Sequence, residues 1–328
     1  MKLLLIAEKK KELNELSSYL EVVNYYIQTY LIEFGVDFDV VPMLTRKMHS
    51  DSELIQYFEN LDISGYDCVL ALGLRYFTTI PEKCSEILRN IKKTLVAHMY
   101  DGGILDGGGA DLVLTSKDDS SLYPINAPAN RYERYHKYNK YVGWAADRNV
   151  FKSRQFPDKL AILLDHTVYD SSQPDRTVDI LMKIKDFVKS ERWKNLYSCV
   201  TIRMIVDSCI VDVDLDNINI KLYDKNPVPY LTLAEELSKT DIFFVTHGES
   251  VGLCALEASM SGALVAVPEG FINESLLSDL NCYVFGNRID WDLLLSKIDS
   301  QKSRIMALKY DWNNIVRKMV EVIIMYEK

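Results

Sequence analysis

The segment Asp241-Ile-Phe-Phe-Val-Thr-His-Gly-Glu249-Ser-Val-Gly252-Leu-Cys-Ala-Leu-Glu257-Ala-Ser-Met-Ser-Gly262-Ala-Leu-Val-Ala-Val-Pro268 decides the architecture of this chain. Ile242 to Val245 is a short apolar run rich in β-formers, and Ala263 to Val267 is a second. Both are predicted as central parallel strands joined by a crossover helix. The helix is expected to start near Ser250, a good N-cap residue, and to stop at Gly262. Parallel strands covered by helices bind ligands beyond their carboxyl ends, where helix N-termini offer N–H groups and a partial positive charge. A phosphate is therefore expected against Val251, Gly252 and Leu253, since Gly252 has no side chain to block close approach. Glu257, two turns after Ser250, falls on the face of the cap with its side chain tilted toward the N-terminus. With Glu249 in the preceding turn, two acids can face one ligand.

A carboxylate is a poor neighbour for a phosphate, so these two fit better as acceptors for hydroxyl groups flanking a diphosphate, such as sugar hydroxyls and a ribose diol. The same spacing also describes an ordinary strand-helix-strand unit whose Glu257 is solvated or caps the helix, and spacing alone leaves both readings open.

The segment resembles the donor-binding signature of retaining GT-B glycosyltransferases, in which Glu, seven residues and a second Glu mark the nucleotide-sugar site. Asp241, Glu249, Gly252, Glu257, Ala258, Gly262 and Val265 fall in register. The departures are His247, where a small residue is usual, and Ala263-Leu264, where a residue and Pro usually precede Val265. The resemblance implies an α/β chain of two Rossmann-like domains facing across a cleft, with a C-terminal helix crossing back to the N-terminal domain. It implies that Glu249 contacts the donor sugar hydroxyls and Glu257 the ribose, while Ser250, Val251, Gly252 and Leu253 carry the diphosphate. Arg176 opens a predicted helix where the family places a basic phosphate clamp, and the preceding loop offers only His166 as a second basic group. Val228 and Tyr230 lie where the family packs the base, partly through backbone contacts, with Tyr230 available to stack. His98, ending the predicted strand that starts at Leu95, resembles the family's His on the sugar and acceptor side. Glu249, His98 and Arg176 are thus the expected catalytic residues, and no metal ion is required.

Outward from the signature, strands and helices alternate. Strands are predicted at Leu3 to Ala7, Phe38 to Val41, Cys68 to Leu72, Thr94 to Ala97 and Leu112 to Thr115, with helices across Lys10 to Phe34, from Asp51, and over Glu82 to Lys92. A second series begins at Leu160 and includes a helix over Thr177 to Lys189 and another at Leu231 to Ser238. The expected division is residues 1–145, an acceptor-side domain; 146–305, the nucleotide-sugar domain; and 306–328, a helix returning to the first. Asp101 to Gly109 carries five glycines without dinucleotide-fingerprint spacing. It reads as a loop over the cleft or as a shortened connection. The family's early Gly-Gly is replaced by Glu8-Lys9-Lys10-Lys11, so acceptor identity is not inherited.

At 328 residues, 48% of them hydrophobic, the chain can build two cores. Its net charge of −9 argues against a sequence-independent hold on nucleic acid. Arg131 to Tyr141 interleaves basic residues with Tyr and is either a polar surface stretch or a polymer- or membrane-contacting one. No apolar run approaches the length of a membrane span, Met1 to Glu8 reads as a first strand, and six cysteines form no Cys-x-x-Cys pair, so a cytoplasmic location is expected. Asp212-Val-Asp214 reads as surface charge. The expected activity is transfer of a sugar, with retention, from a nucleotide-diphosphate sugar, expected to be a UDP-sugar, to a glycan, lipid-linked or nucleic-acid acceptor. Two alternatives stand beside it: a phage-type glucosyltransferase acting on a modified DNA base, and a catalytically silent binding or assembly protein.

Overall fold

Short apolar runs frame the structure, a computed structural model in which all residues are described except 74–75, 93, 101–109, 116–138, 154–157, 167–175, 207–218, 224–228, 248–251, 273 and 328. The chain divides into two units, Met1–Trp144 with Trp312–Lys328, and Ala145–Asp311.

The first unit contains β1 (Lys2–Ala7), α1 (Tyr19–Glu33), β2 (Asp37–Pro42), α2 (Asp51–Asn60), β3 (Cys68–Ala71), α3 (Tyr76–Thr79), α4 (Glu82–Glu86), β4 (Leu95–Tyr100), β5 (Leu112–Thr115) and β6 (Asn139–Tyr141). The strands form one parallel sheet in the order β2-β1-β3-β4-β5-β6. Leu3 to Ala7 are at most 2% exposed, as a strand covered on both faces requires. The helix expected across Lys10 to Phe34 is instead a 3-10 turn at Leu13–Glu15 followed by α1. A capping box explains the break. Ser18 Oγ accepts from Glu21 N at 3.3 Å and the Glu21 carboxylate accepts from Ser18 N at 3.1 Å, so the helix starts afresh there. The helix expected over Glu82 to Lys92 changes at Ile87 into a π-helical turn, Ile87–Ile91, closed by Lys92 N donating to Ile87 O at 3.0 Å. The C-terminal helix, Trp312–Glu327, packs on α1 through a stacked Tyr26–Trp312 pair with ring centroids 5.3 Å apart.

The second unit runs β7 (Lys159–His166), α5 (Thr177–Lys189), β8 (Cys199–Val206), β9 (Asn219–Tyr223), α6 (Tyr230–Ser238), β10 (Ile242–Phe244), α7 (Leu253–Met260), β11 (Leu264–Pro268), α8 (Glu274–Asp279), β12 (Cys282–Phe285), α9 (Trp291–Ser296) and α10 (Ser300–Ala307). Its parallel sheet has the order β12-β11-β10-β7-β8-β9. The chain winds outward in both directions from β7 and β10, so the topological switch point lies between those two strands. The signature helix α7 stops where the sequence expects. Ala263 N donates to Ala258 O and Gly262 N to Ser259 O, both at 2.9 Å, with Gly262 at φ +93°, which together make a Schellman ending.

Three aspartates that directly precede buried strands repeat one device. Asp67, Asp111 and Asp241 each accept a backbone N–H from the neighbouring strand, of Lys2 at 2.6 Å, Val96 at 3.0 Å and Ala161 at 2.7 Å. Each also donates its own N–H back to the carbonyl of that same residue. The paired bonds bracket the amino ends of β1, β4 and β7 and hold strand register.

Asp241 makes this device sensitive to pH. Burial pushes its carboxyl up to about 6, against the pull of the Ala161 amide and the Arg203 charge. A carboxyl raised in the folded state favours folding when protonated. That contribution is complete below the unfolded value near 4 and is lost as pH rises through about 6. Asp241→Asn should therefore remove a decline in stability of up to about 3 kcal/mol between roughly pH 4 and pH 7. Urea midpoints of both proteins across that range check it, and parallel profiles would refute it.

Candidate functional site

The pair at the switch point, β7 and β10, ends at His166 and Phe244, and the connections leaving these ends carry the candidate residues. Arg176 is the N-cap of α5. Its amide donates to Thr246 O at 2.7 Å, which stitches the β7–α5 connection to the chain emerging from β10. Its guanidinium donates from Nη1 to Gly286 O, just past β12, at 3.1 Å, and from Nε to Asp179 at 3.0 Å. The group also lies 5.7 Å from the centre of the Phe285 ring. Arg176 thus bridges the carboxyl ends of β10 and β12 with its side chain 24% exposed. Burial works to raise the Asp179 carboxyl, but Lys183 and Arg176 outweigh it and hold the group below its ordinary value, so it is an anion at neutral pH.

Thr246 and His247, which follow β10, are 0% and 5% exposed. The Thr246 hydroxyl has no hydrogen-bond partner among the described residues, a costly state for a buried polar group and one that asks for an explanation.

Helix α7 begins at Leu253 with Gly252 as its N-cap, a correction to the expected cap at Ser250. Gly252 takes φ +71°, and a Cβ there would lie 3.0 Å from Ile272 Cδ1. The chain turns into the helix through a left-handed residue seated on Ile272, a geometry open to glycine and strained for any other residue. Leu256 N donates to Gly252 O at 3.0 Å, and the amides ahead of that bond belong to the helix start, the part that caps or binds anions. Glu257 stands one turn on from Leu253, on the same face, and is only 2% exposed. Carboxylates are rarely this buried.

Tyr230 is placed differently from the expectation. It is the first residue of α6, 4% exposed, with its ring edge-on to Phe151 at 5.3 Å. The ring belongs to the core and offers no open face on which a base could stack. His166 is the last residue of β7, opposite Val206, and His98 lies in the carboxyl half of β4, opposite Ala71. Glu249, Ser250, Val251 and Val228 lie outside the described residues, as do the glycine-rich stretch 101–109, residues 131–138 and the Asp212–Asp214 pair. Among the described residues no helix is long and apolar enough to cross a membrane.

No family model matches the chain, and no curated protein matches it by sequence. Solved structures match it along nearly their whole length. The lipopolysaccharide outer core galactosyltransferase WaaB superposes with a TM-score of 0.61 at 10% identity, covering 99% of this chain and 100% of its own. The Anabaena protein HepE, solved with UDP and glucose, gives 0.59 at 12% identity with the same coverage. The fold is GT-B. A UDP-GlcNAc 2-epimerase from Neisseria meningitidis, bound to UDP-GlcNAc, also shares it, with a TM-score of 0.51 at 14% identity over 99% of this chain and 100% of its own. A GT-B fold is therefore shared by transferases and an epimerase, and the chemistry of this chain is a matter for its own residues.

Proposed function

We propose that the second unit binds a nucleotide-diphosphate sugar at its switch point, and that the protein is a glycosyltransferase acting with retention of configuration and without a metal ion. Two observations support this reading: the bond from the Arg176 amide to Thr246 at the switch point, and, six residues further along the same connection, the glycine-capped helix α7 with its buried Glu257. In this reading the amides of Gly252 and Leu253 and the Arg176 guanidinium take the diphosphate, which competes with Asp179 for the cation. Glu257 accepts from the ribose diol and Glu249 from the sugar hydroxyls. Breaking the anomeric carbon–oxygen bond leaves negative charge on the diphosphate, where Arg176 and the helix dipole stabilise it. The acceptor oxygen bonds the anomeric carbon on the face the phosphate leaves, and its proton passes to the departing phosphate. His98 is assigned to the acceptor side. The donor is proposed to be a UDP-sugar, and the setting cytoplasmic.

A thermal-shift screen of UDP, GDP, ADP and their sugar conjugates tests the assignment. A ligand at a hundred times its dissociation constant should add about 2.7 kcal/mol, a rise of roughly 5–10 °C for a unit of this size. Arg176→Ala should reduce that rise while leaving the unliganded midpoint within a few degrees. If none of these nucleotides moves the transition, the donor site is misassigned. Because an epimerase shares the fold, nucleotide release should be followed with and without added acceptor sugars.

A further inference from the structure

A polar cavity of about 650 Å³ opens in the first unit at the amino edge of its sheet, walled by Tyr66, Asp67, Arg89, Asn90, Asp111 and Tyr326. Its volume is in the range of small-molecule sites. Arg89 and Asn90 ride on the π-helical turn Ile87–Ile91, a rare distortion that recurs at functional sites. The Arg89 guanidinium is incompletely used. Its Nη1 lies 3.9 Å from Asp111 Oδ1, close enough for attraction but too far for a hydrogen bond, and its buried Nε has no partner among the described residues. Asp67 and Asp111 each accept one strand amide, and Asp67 also lies 3.8 Å from the Met1 ammonium; a carboxylate has room for about four hydrogen bonds, so both keep acceptor capacity.

One cavity therefore sets an incompletely bonded guanidinium beside two carboxylates with spare acceptor capacity, with two tyrosine rings in its walls. A phosphate brings negative charge and would meet two carboxylates, one facing the Arg89 guanidinium and the other the Met1 ammonium. An amine supplies only donors and would meet Arg89. Hydroxyl groups supply both donors and acceptors, and a ring carrying several of them also has C–H faces to lie against the tyrosines. We infer that this cavity binds a neutral saccharide unit, at a site separate from the donor site proposed on the second unit. The assignment does not rest on the donor reading, because the residues and the ligand contacts are all different.

The test is an amide-resolved NMR titration of the full chain with methyl α-glucopyranoside, methyl β-galactopyranoside and N-acetylglucosamine, with inorganic phosphate and putrescine as comparators. At least one glycoside should give saturable shifts at Asn90, Asp111 and Tyr326, whereas phosphate and putrescine should give none there. Asn90 is exposed, so Asn90→Ala should keep the unfolding temperature and the nucleotide-induced rise while weakening glycoside binding about tenfold or more. Arg89→Gln should weaken it as well. Saturable shifts from phosphate or putrescine at this edge, no response to any glycoside, or glycoside binding untouched by Asn90→Ala would each overturn the assignment. Loss of nucleotide binding with this response intact would instead count against the donor site alone.

Discussion

Glu249→Ala should slow sugar transfer by about 100-fold or more, a loss of at least about 2.7 kcal/mol of transition-state stabilisation, with an unchanged unfolding temperature. The proposed role is to accept hydrogen bonds from donor hydroxyls as the sugar gains positive charge, so a carboxylate contributes through charge as well as orientation. Two comparisons separate these contributions. Glu249→Gln keeps the shape and one acceptor but loses the charge, and it should retain less activity than geometry alone would allow. Nucleotide binding should survive in both variants, because the diphosphate is assigned to Arg176 and the start of α7. Measured as nucleotide release per enzyme, full turnover by the alanine variant removes Glu249 from the mechanism, and loss of nucleotide binding would assign it to the nucleotide's hydroxyls in place of the sugar's.

The second large effect concerns stability. Arg203 on β8 and Glu236 on α6 form an ion pair whose side chains are each 7% exposed. Arg203 Nη2 also donates to Lys239 O at 3.1 Å and Thr240 Oγ1 at 3.0 Å, which ties the end of α6 to the lead-in of β10. Removing one member of a buried pair strands the other charge, so Glu236→Leu should cost about 3–5 kcal/mol. Replacing both, with Arg203→Met added, should recover most of that loss, since two apolar chains of similar volume need no solvation. Urea unfolding of the three proteins measures it. A single variant within about 1 kcal/mol of the parent would show that water reaches the pair. Because the pair anchors the approach to Asp241, the single variant should also blunt the nucleotide-induced rise in unfolding temperature.

Much of the frame was legible beforehand because it depends on local chemistry. The runs at Leu3, Leu160, Ile242 and Leu264 are too short for helices and too apolar for an exposed edge, and all four are buried strands. Gly262 marks a helix end because only glycine enters that backbone region cheaply. The Ser18 capping box is equally local, since Ser-x-x-Glu stands in the sequence, and it splits the single helix expected across Lys10 to Phe34. The aspartate brackets were legible only in part: the residue type ahead of each apolar run is visible, but the strand it will grip is not.

The candidate site divides in the same way. That Gly252 and Glu257 fall at the start and on the body of the signature helix can be read from spacing, but Tyr230 cannot be placed, because an aromatic ring at a helix start is a binding face or a core residue according to what packs opposite it. Phe151, far away in the chain, makes it core.

By itself the sequence determined the alternation of strands and helices, the crossover helix between Ile242 and Leu264 and the glycine that ends it, since these follow from side-chain period and backbone freedom within a few residues. Only the tertiary structure decided that β7 lies beside β10, that Arg176 therefore meets Thr246, and that Gly252 caps α7 over Ile272. Neighbours in a parallel sheet are chosen by long crossovers and by the packing of surfaces distant in the chain, and no local pattern encodes that choice.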